Sequence, residues 1–260
     1  MFDVYQIRKQ FPMLDNKMMQ GKPLVFLDNA STTFKPYKVI EEMNKYYCEE
    51  TSNSHRGDYD LCHNMDVEIE KSRKVVSEFI NADINEVVFT SGASMSINLI
   101  AYGYANKFLT KDDEIIISLA EHASNVLPWF KVSETTGCKI KYIPLDDEYK
   151  VTLDNLKKCI TNKTKVISIA HVTNVIGDVR PIKEIIEYAH KNNILVVIDG
   201  AQSVPHMRID VKELDIDFLA FSAHKMLGPT GVGVLYAKEE LLEEIKPTTF
   251  GGGMNSSFED

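Results

Sequence analysis

The residues best equipped for chemistry sit at the ends of apolar runs. Lys225 closes the segment Ser222-Ala223-His224-Lys225, which follows the apolar run Phe218–Phe221 and precedes a turn forced by Gly228, Pro229 and Gly231. An amine at the mouth of a sheet is partly desolvated, so its pKa falls and it becomes a candidate Schiff-base nucleophile. Taken alone, the same lysine reads as a surface residue of a hairpin, since lysines are mostly exposed. The company it keeps argues otherwise. Asp199 and Gln202 follow Ile194–Ile198, a run too apolar to lie at the surface, where a carboxylate is either a cap or a buried functional charge. His122 follows the apolar run Glu114–Ser118, and Asn174 follows Lys165–Ala170. Ser94 closes the turn Ser91-Gly92-Ala93-Ser94 between an apolar run and a helix, where backbone N–H groups suit a phosphate. Such turns are common, so this one is a weak signal by itself.

These side chains need elements to hold them, and the pattern supplies strands and helices in alternation. Strands are predicted at 86–90, 114–118, 138–145, 165–170, 194–198, 218–221 and 232–236. Helices are predicted at 36–50, 96–105, around Trp129, at 152–160, at 181–191 with Pro181 in its first turn, and at 239–245. Met65, Ile69, Val76 and Ile80 share one face of a further amphipathic helix. The alternation predicts an α/β fold, with a mostly parallel central sheet, flanking helices and three layers. The wholly apolar 194–198 strand should be central. Ligands of such sheets bind outside the carboxyl ends of the strands, which is where the residues above gather. Ahead of this lie a helical arm at 3–10 ended by Pro12, a turn at 21–23, a short strand at 24–27 and the small polar run Asp28–Thr33. That run is either a capped turn or a backbone-rich loop touching a ligand. Asn53–Gly57 is a polar loop in which Arg56 is a solvated or ion-paired residue, or one that holds an anion.

Composition narrows the function. The 260 residues are 44% apolar, enough for one large domain or a domain plus a small appendage. A net charge of −9 argues against a nucleic-acid partner. No apolar run nears the roughly 18 residues of a membrane span, and the N-terminus shows no basic region followed by an apolar one. Cys48, Cys62, Cys138 and Cys159 form no CxxC pair, which disfavours a metal site and fits a reducing cytoplasm.

A lysine amine, a buried carboxylate, a flat imidazole and a phosphate cradle together match what pyridoxal 5′-phosphate requires. Asp199 suits the ring nitrogen, because an ionised carboxylate keeps that nitrogen protonated. His122 could stack on the ring, Ser94, Ser222 and His224 could hold the phosphate, and Gln202 and Asn174 could bond the ring hydroxyl.

The segments FLDNASTTFKP, EHASNVLPW, HVTNVIGDVRPI, VIDGAQSVPH and SAHKMLGPTGVGVLY, in that order, resemble the class V aminotransferase family. Within it they are similar to the SUF-type cysteine desulfurases, or cysteine desulfurase/selenocysteine lyases, and NSHRGDYDL resembles the HRG loop of that subgroup. The resemblance implies the large domain of a type I pyridoxal-phosphate transferase, working as a homodimer on L-cysteine. It implies sulfur delivery to an acceptor protein for iron–sulfur cluster assembly. It further implies Lys225 as the Schiff-base lysine, Asp199 at the ring nitrogen, Gln202 at the ring oxygen and His122 on the ring. Ala93 and Ser94 would lie with Ser222 and His224 at the phosphate, and Asn174 and Ala30 beside the substrate. His55 and Arg56 would lie near the site and the dimer interface. Two departures stand out: Gly92-Ala93-Ser94-Met95 replaces Gly-Thr-Thr-Glu, and Ala123 replaces a second histidine. The resemblance also implies a further segment after Asp260, carrying the sulfur-accepting cysteine and a carboxylate-binding arginine. On that expectation 1–20 is an arm that packs with the absent segment, 21–250 is the cofactor-binding domain and 251–260 opens a glycine-rich loop. The chain alone should then be inactive. A selenocysteine lyase, another member of the fold family, and a fragment that only dimerises or binds partners are the competing expectations.

Overall fold

The computed structural model describes residues 3–15, 17–55, 57–252 and 254. Its centre is a seven-stranded sheet: β1 (Val87–Thr90), β2 (Glu114–Ser118), β3 (Lys139–Ile143), β4 (Thr164–Ala170), β5 (Leu195–Asp199), β6 (Phe218–Ser222) and β7 (Gly233–Ala237). The spatial order is β1-β7-β6-β5-β4-β2-β3, so the apolar β5 is the middle strand. β7 runs antiparallel to both β1 and β6, and the other pairings are parallel. The expected mostly parallel sheet is therefore present, with one reversed strand. Reversal of β7 places its first residue, Gly233, between Thr90 and Ser222 at the carboxyl ends of β1 and β6.

Both faces are covered, as the continuous apolar strands require. In β2, Ile116 enters the core on one face while Ile115 and Ile117 enter that on the other. The α-helices of four or more residues are α1 (Val4–Arg8), α2 (Tyr37–Lys45), α3 (Asp60–Ile80), α4 (Ala93–Leu99), α5 (Leu127–Thr136), α6 (Leu153–Cys159), α7 (Ile182–His190) and α8 (Glu239–Leu242). The first face is packed by α3, α6 and α7 through Ile80, Leu156, Ile182, Ile185 and Ile186. The second is packed by α4 and α5 through Ile97, Trp129 and Val132. Three layers result. α3 stops where Asn81 adopts a left-handed conformation at φ 57°, a C-terminal cap that asparagine tolerates. Among the described residues, no helix is long and apolar enough to cross a membrane.

Several boundaries differ from the sequence reading. Leu24–Leu27 forms no strand; a two-residue ribbon pairs Met18–Met19 with Lys22–Pro23 instead, and Leu24 N still donates to Lys17 O at 2.9 Å beyond it. The helix expected over 36–50 leaves the α form after Lys45 for a wider π-type turn at Tyr46–Glu50. The helix expected from 96 already begins at Ala93, and α8 is shorter than expected, ending at Leu242. The strand at 138–145 is confined to 139–143.

Candidate active site

The carboxyl ends of β1, β2, β4, β5 and β6 share one edge of the sheet, and a cavity of about 220 Å³ opens there. Ala93, Ser94, His122, Asn174, Asp199, Gln202, Ser222, His224 and Lys225 all line it. Thus nine residues singled out from five separate stretches meet in one place. Ala30 lies at the rim, where its carbonyl accepts from Gln202 Nε2 at 2.6 Å. His55 is not in this cavity. Its backbone and ring face Asp66, and it lines a second groove with Lys45, Arg73 and Phe89. Arg56 falls outside the described residues.

At one end of the cavity is the first turn of α4. Its leading N–H groups have no partner within the helix and point outward. Ala93 N donates to Ser222 Oγ at 2.8 Å, which leaves the Ser222 hydroxyl proton free for a ligand. Ser94 Oγ lies 2.7 Å from Ser124 Oγ. A Cβ at Gly233 would overlap the Gly92 backbone, so glycine alone lets β7 come this close to the turn. The cradle is thus made by tight backbone approach, with hydroxyls at its rim.

At the floor, Asp199 is buried and one oxygen accepts from Ala201 N at 2.9 Å. Burial pushes its carboxyl above the usual range; the Ala201 bond opposes this, Glu121 adds to it, and Lys225 and His122 pull the other way. The Lys225 side chain makes no hydrogen bond or ion pair among the described residues, and burial lowers its pKa against the pull of Asp199. Such an amine is more readily neutral, and so more nucleophilic, than an exposed one. Burial, then Lys225 and Lys35, also lower His224.

Gln202 Nε2 donates both to Ala30 O and to Asn174 Oδ1, each at 2.6 Å, so Asn174 Nδ2 is left as a donor toward the cavity. His122 is exposed, and Nδ1 of its ring accepts from Ser124 N at 3.2 Å. Among the described residues, no cysteine lines the cavity and no cluster of His, Cys, Asp or Glu could hold a metal ion.

Sequence reasoning missed the strap that holds the lysine turn. The His224 carbonyl accepts from Thr33 N, Thr33 Oγ1 and Lys35 Nζ at 3.0 Å each and from Thr32 Oγ1 at 3.2 Å. Thr33 Oγ1 also takes Leu227 N at 2.9 Å, where Leu227 stands at φ 67°. The polar run Asp28–Thr33 reads in the sequence as a ligand loop or a capped turn; Thr32 and Thr33 clamp the backbone beside Lys225, while Ala30 and Ser31 reach the cavity. Ser124, Ala170, Val172 and Ala201 also line the cavity without having been singled out, since nothing in their types marks them.

A model of the class-V aminotransferase family matches residues 25–259. A probable cysteine desulfurase of Halalkalibacterium halodurans is 45% identical over 97% of this chain and 62% of its own length. A cysteine desulfurase of Synechococcus elongatus is 43% identical over 97% of this chain and 40% of its own. Among solved structures, a cysteine desulfurase of Escherichia coli superposes with a TM-score of 0.89 at 38% identity, over 100% of this chain and 64% of that one. The apo cysteine desulfurase of Thermococcus onnurineus NA1 gives a TM-score of 0.90 at 36% identity, over 97% and 61%. The chain spans between 40% and 64% of the length of these proteins.

Proposed function

The chain belongs to the class-V aminotransferase family, and from that premise we propose that it carries the pyridoxal 5′-phosphate site of a cysteine desulfurase. The observation that carries this reading is the underpaired Lys225 sharing one cavity with the buried Asp199, opposite a backbone cradle at the α4 N-terminus. The residues fit the group. Asp199 lacks a full set of partners, and a protonated ring nitrogen would supply the missing countercharge. The Ser222 hydroxyl, Ser94, His224 and the first N–H groups of α4 would hold the phosphate. His122 would lie on the ring face, and Asn174 Nδ2 and Gln202 would face the ring oxygen.

When bound, the cofactor supplies an electron-poor ring that takes up the charge left as an amino acid loses its α-proton. The chain does the rest. Lys225 Nζ, shifted toward the neutral form by desolvation, would make the covalent attachment and afterwards hold the α-proton. Asp199, pushed toward its neutral form by burial, would be held ionised by a protonated ring nitrogen. With L-cysteine as substrate, the Cβ–S bond breaks and the sulfur passes to a thiol, so that cysteine and R–SH become alanine and R–S–SH. None of Cys48, Cys62, Cys138 and Cys159 lines the cavity, so the accepting thiol is taken to come from elsewhere.

The reading extends to a cytoplasmic homodimer that passes sulfur to an acceptor protein for iron–sulfur clusters. Four free thiols suit a reducing compartment. An apolar groove of Val39, Met43, Tyr47 and Val232 beside the lysine turn suits a second copy. The unit that binds the cofactor is taken as 21–250.

The test is reconstitution. Pyridoxal phosphate added to residues 1–260 should give a visible band, and borohydride should fix the label to the peptide holding Lys225. Alanine release from L-cysteine should be low for this chain and should rise when a thiol acceptor is supplied. A label on any other lysine would overturn the assignment.

A further inference from the structure

Beneath His122 lies an ion pair that the chemistry above does not use. The side chains of Glu121 and Arg180 are both fully buried. Glu121 Oε1 accepts from Arg180 Nη1 and Ser118 Oγ, and Oε2 accepts from Asn125 Nδ2 and Ala170 N at 2.8 Å each. Arg180 also donates to Ala170 O at 3.1 Å and to Ser118 Oγ at 2.7 Å. Asn125 Oδ1 in turn takes Ser168 Oγ at 2.6 Å and Trp129 Nε1 at 3.3 Å. One connected polar network therefore ties the end of β2, the turn 121–125, the end of β4 and the loop 171–180.

Desolvating two charges is costly, and well-packed apolar residues would often serve stability as well or better. Position is what this network provides. His122 sits between Glu121 and Asn125, the two residues of the turn that are pinned to the network, and its carbonyl accepts Asn125 N at 2.8 Å. Its ring is exposed, and its polar contacts among the described residues are with Ser124 of the same turn, whose hydroxyl also meets Ser94 Oγ. We propose that Glu121 and Arg180 are positioning residues that aim the His122 ring over the bound cofactor, an inference resting on the pyridoxal-phosphate reading.

The test compares the parent, Glu121→Gln/Arg180→Met, His122→Ala and the triple variant. The double change removes both charges together, so neither is left bare in the core if one single variant fails to fold. In the cofactor-free protein, amide exchange at Ser124 and Asn125 should speed up at least tenfold while β5 keeps its protection. With pyridoxal phosphate added, the visible dichroism per bound cofactor should fall to the His122→Ala value, and affinity should drop about tenfold, the scale of one ring contact. Adding His122→Ala to the double variant should cost nothing more, as coupled residues require. Parental dichroism and affinity in a folded double variant, or a full additional loss in the triple, would overturn the inference while leaving the cofactor reading intact. No visible band in the parent would instead overturn the cofactor reading, and this inference with it.

Discussion

The amino edge of the sheet pairs its buried charges, whereas the carboxyl edge, beside its paired Glu121 and Arg180, leaves Asp199 and Lys225 short of partners. At the amino edge, Asp217 precedes β6 and is matched by Lys238 Nζ at 2.8 Å, His190 Nε2 at 2.9 Å and Val196 N at 2.8 Å. Glu114 opens β2 and is held by Thr161 Oγ1 at 2.6 Å and Lys141 Nζ at 3.3 Å. Burial pushes the Glu114 carboxyl up, but those bonds bring it net down, toward the charged form. At the carboxyl edge, burial pushes Asp199 up and its one backbone bond does not reverse the direction. Lys225 is driven the same way, toward its neutral form. A buried charge with all its partners holds the structure together. One left short of partners costs free energy that only a ligand can return, so the underpaired edge is the one with chemistry.

The comparison breaks most sharply at its two lysines. Lys225→Ala should abolish the borohydride-fixed label and leave the melting temperature of the cofactor-free protein unchanged or higher. Lys238→Ala should do the reverse: full labelling, but a loss of about 2 kcal/mol in denaturant unfolding, because Asp217 loses a partner while buried. Equal labelling in the two variants would remove the distinction between the edges.

Asp199→Asn comes next. In a preparation that turns over L-cysteine, the rate should fall roughly 10²-fold or more, the scale of a lost electrostatic stabiliser. Stability should move differently. The folded pKa of Asp199 lies above its unfolded value, so the folded state holds that proton more tightly. That contribution is present at low pH and is lost as pH rises through the raised value. The asparagine variant should lack this loss, so urea titrations of the cofactor-free protein above that value should show it at least as stable as the parent.

Thr33→Val sharpens the picture by loosening the strap without touching the cavity lining. It removes the hydroxyl bonds to His224 O and Leu227 N. The expected cost is about 1 kcal/mol in unfolding and a few-fold slower capture of cofactor by Lys225. The smallest effect is in pH. Because desolvation lowers Lys225, its capture rate should rise with pH and level off below the ordinary lysine value of about 10.4. A rate still climbing at that value would mean an ordinary exposed amine.

The sequence alone determined the α/β alternation, the central place of the strand at 194–198, and the gathering of Ser94, His122, Asn174, Asp199, Gln202, Ser222, His224 and Lys225 at strand ends. Those features are local: an apolar run followed by a polar residue marks a strand end wherever the strand later pairs. Tertiary structure decided the rest. Glu121 and Arg180 are 59 residues apart, and the strap residue Thr33 is 191 residues from His224, so neither partnership leaves a mark in a local pattern. The reversal of β7 was half legible: the short turn after Lys225 suits a hairpin with β6, but the pairing of β7 with β1 leaves no local mark. The place of His55 was hidden, since a polar loop could have carried it to the cavity and Asp66 holds it in another groove. Periodicity reports which face of an element is buried; which buried group meets which is set by how the elements pack.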